Sequence, residues 1–257
     1  MKADDDPQFE PIEKGLANTA SLLAELISQE EPHPRTQTAK AYKEKLAHEV
    51  ASDLIVIKKR IENGVAHLVK ALKELASTHP EIHSNEIAVE FAKTTEFFSE
   101  FPVHAESYLT AIAQDQSLQE ICGISETTIE SLYQAAKQIY EKQNYSDAAE
   151  AFTFLTLLNS KKYTFWIALG NAEYLCHRYE QALVAYAIAV RVDPGDPTSH
   201  VYACKCYEEI QEFDNAVNAL DLALFVIGES KSRDFENLKR QVTAKREKLI
   251  KKIKDEG

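Results

Sequence analysis

The sequence has 257 residues, 44% hydrophobic and 27% charged, with a formal net charge of −12. That length supports one or two domains with a sizeable core, and seven Gly and eight Pro are few for a turn-rich β fold, so helices are expected. From Lys231 onward ten Lys or Arg stand against five Asp or Glu, leaving −17 on residues 1–230 and arguing against nucleic acid, whose phosphates demand a basic surface.

In chain order, residues 1–10 are polar and acidic and read as a disordered tail. The opening Met1-Lys2-Ala3-Asp4-Asp5-Asp6 lacks a basic region followed by an apolar core, so a secretory signal is not expected. Leu16, Ala20, Leu23 and Ile27 give residues 12–29 helical spacing, and Pro32 and Pro34 break it. The longest periodic run, residues 36–77, carries Tyr42, Leu46, Val50, Leu54, Ile57, Ile61, Leu68, Leu72 and Leu75 at mostly three- and four-residue steps. This predicts one amphipathic helix or a pair divided at Asn63-Gly64, packed on neighbours or self-associating along a heptad-like seam. A helix follows at 84–101, with Ser84 as N-cap, Ile87, Phe91, Phe97 and Phe98 as its apolar side, and Pro102 as its stop. A shorter one is expected at 103–113, and Gly123 marks the last break before a different organisation begins.

From there the chain repeats itself with a period of 34. The middle copy, residues 163–196, places Trp166, Leu169, Gly170, Tyr174, Tyr179, Ala182, Tyr186, Ala189 and Pro194 where tetratricopeptide repeats place Trp, Leu, Gly, an aromatic, Tyr, Ala, an aromatic, Ala and Pro. The copy at 129–162 matches with Leu132, Ala135, Ala136, Tyr140, Tyr145, Ala148, Phe152 and Leu155. The copy at 197–230 matches with Ala203, Cys204, Tyr207, Phe213, Ala216, Leu220 and Ala223. Each repeat is then two antiparallel helices, A and B. Gly170, Ala136 and Cys204 are small because helix B crosses close there, and Pro194 stops the second helix B. The fold class is all-α: a three-repeat solenoid at 123–257 closed by a capping helix at 232–254, preceded by a helical extension at 11–122.

In such a stack helix A lines the concave side. Three- and four-residue steps put Glu130, Tyr133, Lys137 and Tyr140 on that side, then Thr164, Ile167, Asn171 and Tyr174, then Thr198, Tyr202, Lys205 and Glu208. The peptide-binding candidates are Tyr133, Lys137, Tyr140, Ile167, Asn171, Tyr174, Tyr202 and Lys205. This mix of rings, aliphatics and a few polar groups suits an extended peptide with apolar anchors. Several of the tyrosines serve equally well in packing between repeats.

Gly123-Ile124-Ser125, Ile129-Glu130-Ser131-Leu132-Tyr133, Ile139-Tyr140, Tyr145-Ser146-Asp147-Ala148-Ala149, Leu169-Gly170 and Tyr179-Glu180-Gln181-Ala182 resemble the class II type III secretion chaperones. The resemblance covers about residues 120–250. It implies a bacterial cytoplasmic, virulence-associated chaperone that holds an extended segment of a hydrophobic, secreted translocator in its concave groove. It points to Tyr133 and Tyr140 as groove residues, with Tyr145 structural. Members typically have only a short leader, so the extension of about 120 residues departs from the pattern. A second client-binding surface, a homodimerisation element or part of another secretion component are the roles open to it. A scaffold in a larger complex, or a co-regulator binding a transcription factor, are the alternatives to the chaperone.

No enzyme, cofactor or metal is expected. His200 and Cys204 share a helix face, but Cys206 lies about 200° further round the helix, and a buried structural thiol at Cys204 is favoured. Cys176 and His177 are adjacent, and adjacent helical residues do not face each other. Glycine-rich phosphate loops and the G-x-S-x-G turn are absent from the sequence. Nor is there a run of about 18 apolar residues, so no membrane insertion is expected. The basic end reads as the solvated face of the last helix.

Overall fold

The computed structural model describes residues 39–78, 86–87, 89–90, 93–94, 111, 114–230 and 235–256. The tail at 1–10, the helix expected at 12–29 and most of those expected at 84–101 and 103–113 lie outside the described residues. So do the side chains of Tyr42, Leu46, Val50, Leu54 and Ile57. Among the described residues the regular elements are helical and none is a strand. In chain order they are α1 (Ala39–Thr78), α2 (Leu118–Ile121), α3 (Glu126–Glu141), α4 (Tyr145–Leu158), α5 (Tyr163–Leu175), α6 (Tyr179–Val192), α7 (Thr198–Glu209), α8 (Phe213–Glu229) and α9 (Glu236–Glu256).

Of the two arrangements the undivided one is seen: α1 runs through Asn63-Gly64 as one helix of 40 residues. Gly64 instead marks where α1 crosses α4. A Cβ there would overlap the Glu150 carbonyl and stand 3.2 Å from the Ala151 nitrogen. C-terminal to that crossing, Leu68, Ala71, Leu72 and Leu75 form a buried stripe at three- and four-residue steps. They face α4 and α3, against which α1 packs. Leu68, Ala71, Leu72 and Ile87 belong to one core with Leu132, Phe152, Leu155 and Phe165. Polar contacts rim the crossing. Asn63 Nδ2 donates to Glu150 Oε1 at 3.2 Å, His67 Nε2 lies 3.1 Å from Glu150 Oε2, and Lys142 Nζ donates to Glu74 Oε2 at 2.5 Å.

Two serines open the repeat region. Ser117 and Glu120 form a reciprocal capping box at α2. Ser125 caps α3, accepting from the Thr128 amide at 3.2 Å, so α3 starts at Glu126 rather than at the repeat boundary of 129. The Ser125 amide in turn donates to Glu90 Oε2 at 2.8 Å, tying residue 90 of the extension to this cap.

Helices α3 and α4, α5 and α6, and α7 and α8 are three A–B pairs, and each helix packs on the next along the chain. Ala136, Ala148, Ala182, Cys204 and Ala216 are all buried at the small positions. At Gly170 the neighbour is a ring rather than backbone. A Cβ there would overlap Cε1 and Cδ1 of Tyr186, which is 2% exposed and cannot swing away. The A–B turns repeat in finer detail than the side chains do. Gln143, His177 and Gln211, spaced 34 apart, have φ of 64°, 58° and 64°. Their amides donate to the carbonyls of Tyr140, Tyr174 and Glu208, and the next amides donate to Ile139, Glu173 and Tyr207. This is the left-handed helix ending that glycine usually supplies, here made by glutamine and histidine at a cost of about 1 kcal/mol each.

Pro194 follows the end of α6 at Val192. The last helix was expected at 232–254 and is seen at Glu236–Glu256. It packs on α8, burying Val242 and Leu249 against Leu220 and Ala223, while Arg246 pairs with Asp221. One face of this basic helix is therefore committed to the stack.

Candidate functional site

The side chains expected on the concave side do not form one uniform row. Tyr133, Lys137 and Tyr140 of α3 meet Ile167 and Asn171 of α5 around a pocket of about 300 Å³. Glu141 of α3, Phe152 of α4 and Tyr163, Thr164 and Ala168 of α5 complete the wall. The pocket therefore spans the junction of the first two repeats. Tyr174 and Lys205 belong to a second pocket, of about 760 Å³, shared with Glu208, Glu209, Gln211, Phe213, Lys245 and Lys252. Tyr202 lines neither. Its ring lies 5.6 Å from that of Tyr186 by centroids, and Lys205 Nζ sits 4.9 Å from its centroid.

The rings are held by packing as well as presented. Tyr133 tilts against Phe165 at 5.3 Å and Phe152 at 6.1 Å, so its base belongs to the contact between repeats. Tyr140 meets Tyr145 edge-on at 5.3 Å, which gives Tyr145 a supporting role. Burial raises the Tyr133 and Tyr140 hydroxyls above the usual tyrosine range. They stay protonated at neutral pH and can donate hydrogen bonds to a partner's backbone. Tyr174 is pushed up to about 12 by burial and the Glu209 carboxylate, to which its hydroxyl donates at 3.2 Å. Asn171 is half engaged already: its Oδ1 accepts from the Tyr186 hydroxyl at 2.8 Å, leaving the amide hydrogens for the pocket.

Phe152, Tyr163 and Ala168 were missed because they reach the pocket from other helices or from the flank of α5. Lys245 and Lys252 were missed because they come from α9, whose basic residues read as a solvated face.

Cys204 lies in the core between α7, α8 and α9, while Cys206 packs with Ala182 and Tyr186. Burial pushes both thiols up to about 12, which suits inert core residues. His177 sits in the left-handed turn with Nδ1 2.8 Å from the Tyr179 hydroxyl. Among the described residues no group of three or more His, Cys, Asp or Glu could hold a metal, and no helix is long and apolar enough to cross a membrane.

Stacked A–B pairs, in-phase turns and a cleft walled by successive A helices define a tetratricopeptide-type solenoid. Over 157 residues the chain is 28% identical to low calcium response locus protein H of Yersinia pestis, covering 61% of this chain and 89% of that relative. A T3SS complex from Aeromonas hydrophila matches 58% of this chain and 98% of its own at a TM-score of 0.55 and 17% identity, which concerns the fold alone. The type III secretion chaperone SycD of Yersinia enterocolitica, solved with a peptide of the translocator YopD, is 26% identical over 50% of this chain and 97% of its own, at a TM-score of 0.46. No protein-family model matches the chain. The chain resembles the class II type III secretion chaperones, as its repeat motifs indicated.

Proposed function

We propose that this protein is a type III secretion chaperone. It holds an extended segment of a hydrophobic translocator in the trough walled by α3, α5 and α7, in the cytoplasm of the producing cell and without catalysis. The binding unit is residues 123–257, buttressed by α1. The observation that carries this reading is the pocket in which Tyr133, Lys137, Tyr140, Ile167 and Asn171 converge from two repeats.

The physical logic is burial by proxy. A membrane-active chain has apolar segments with no partner in water, and they aggregate. An extended segment laid across successive A helices places alternate side chains toward the trough. Aromatic walls supply contact area at low entropy cost, and tyrosine hydroxyls and the Asn171 amide can satisfy the segment's backbone. Because the trough is built from rigid helix pairs, little ordering of the chaperone opposes binding.

Co-expression with the hydrophobic translocator of the same secretion system tests this. The intact chain is expected to keep the translocator in a soluble complex. Tyr133→Ala combined with Tyr140→Ala is expected to weaken the complex about a hundredfold, since two aromatic anchors together contribute roughly 3 kcal/mol. Ile167→Arg, which sets a charge into the same pocket, is expected to do the same. Full retention by variants whose helical circular dichroism is unchanged would place the binding surface elsewhere.

A further inference from the structure

The middle repeat differs from its neighbours at one packing position. Tyr186 of α6 has Phe152 as its counterpart 34 residues upstream and Leu220 as its counterpart 34 residues downstream. All three are buried, at 2%, 1% and 1% exposed. An apolar side chain thus fills this position in the two outer repeats. The hydroxyl of Tyr186 is not required for packing, and burying it costs stability unless it finds a partner.

The partner is on the facing helix. The Tyr186 hydroxyl donates to Asn171 Oδ1 of α5 at 2.8 Å. Burial holds that hydroxyl well above the usual tyrosine range, so it keeps its proton. The ring has little room to shift: a Cβ on Gly170 would overlap it, and the Tyr202 ring packs on it at 5.6 Å. Asn171 is particular to the middle repeat as well, since its counterparts are Lys137 and Lys205. Hydroxyl and carboxamide occur together, and the outer repeats have neither.

Asn171 lines the first pocket, whereas Tyr186 stands behind it in a cluster with Ala182 and Cys206. A carboxamide carries an acceptor oxygen and a donor nitrogen, and an untethered one presents either by turning over. With Oδ1 committed to Tyr186, the group left for the pocket is the Nδ2 amide, a donor. An apolar segment in that pocket brings few polar side chains. Each of its residues still brings a backbone carbonyl, which needs a donor once water is excluded.

We propose that Tyr186 is a positioning residue: by fixing Asn171 it makes the first pocket a site for a backbone carbonyl beside the client's apolar anchor. The inference rests on the client-holding reading of the trough and adds register to it. Apolar contact is non-directional and tolerates sliding. A directed hydrogen bond does not, because carbonyls on one side of an extended chain recur only at every second residue.

The test uses complexes of each variant with the full-length translocator of the same secretion system, purified after co-expression. Each is challenged with an excess of fluorescently labelled intact chain, and the half-time of exchange is measured. Tyr186→Phe installs the side chain of the first repeat, so unchanged helical circular dichroism is expected. Its half-time is expected to shorten about fivefold, the scale of one hydrogen bond. Asn171→Ala is expected to shorten it about tenfold. Asn171→Asp has nearly the same shape but puts an oxygen in place of the donor, and is expected to shorten it further. In the Asn171→Ala background, Tyr186→Phe is expected to add less than about twofold, because its effect passes through Asn171. Equal losses in both backgrounds would make Tyr186 a packing residue only and overturn the inference. An unchanged half-time for Tyr186→Phe or Asn171→Asp would overturn it too. If Tyr133→Ala with Tyr140→Ala releases the translocator while Tyr186→Phe does not, this inference falls alone. If neither does, the client reading falls with it.

Discussion

Replacing Glu173 with Gln is expected to lower the stability of the chain by about 3 kcal/mol, the scale on which a broken buried ion pair acts. Glu173 is 1% exposed on α5. Arg60 Nη2 of α1 donates to its Oε1 at 2.5 Å, Arg178 Nε from the following turn donates to Oε2, and Arg60 also donates to Thr153 at 3.2 Å. The glutamine keeps the volume but leaves two guanidinium groups facing a neutral amide. The loss is placed at the lower end of the range because both arginine side chains keep about a third of their surface in water, at 30% and 37%. This carboxylate joins the N-terminal helix to the second repeat. The variant should therefore also release α1, read as faster proteolysis within 39–78 together with a lower urea midpoint. Unchanged stability would mean that α1 is held by its apolar stripe alone.

Gly64→Ala is expected to destabilise the chain by about 2 kcal/mol, the range for forcing extra volume into packed structure. The sign is the informative part. In a helix that merely runs past its neighbours, Ala for Gly raises stability by roughly 0.5–1 kcal/mol. Here the added methyl meets the Glu150 carbonyl, which is backbone inside α4 and cannot rotate away. A raised midpoint in urea unfolding would show that α1 does not dock on α4 at that crossing.

These two residues also show why the sequence was informative in one half and not in the other. The period of 34 was legible because each repeat solves the same packing problem locally, so small residues at Ala148, Ala182 and Ala216 recur in phase. From the sequence alone Gly64 fits a divider between two helices as well as a place inside one, because glycine favours turns. Its reason for being there sits on α4, and nothing in the flanking sequence announces a partner 86 residues away. Glu173 with Arg60, separated by 113 residues, is hidden for the same reason. The left-handed turns at Gln143, His177 and Gln211 were silent because such positions are recognised by Gly or Asn.

The trough was partly legible. Helical periodicity put Tyr133, Lys137, Tyr140, Ile167 and Asn171 on one side of the A helices, and the structure gathers those five around one pocket. It could not reveal that Tyr174 and Lys205 face a second pocket of different chemistry, because Lys245 and Lys252 reach it from α9. The burial of Val242 and Leu249 orients α9, and only that docking turns a basic stretch into a pocket wall.

Photo-crosslinking tests the trough as the client-holding surface most directly. A benzoylphenylalanine placed at Ile167, inside the first pocket, is compared with one at Val184, which is 61% exposed on α6. In the soluble complex with the translocator, irradiation is expected to join the two chains from position 167 and not from position 184. Crosslinks from 184 with none from 167 would contradict a client held between the A helices.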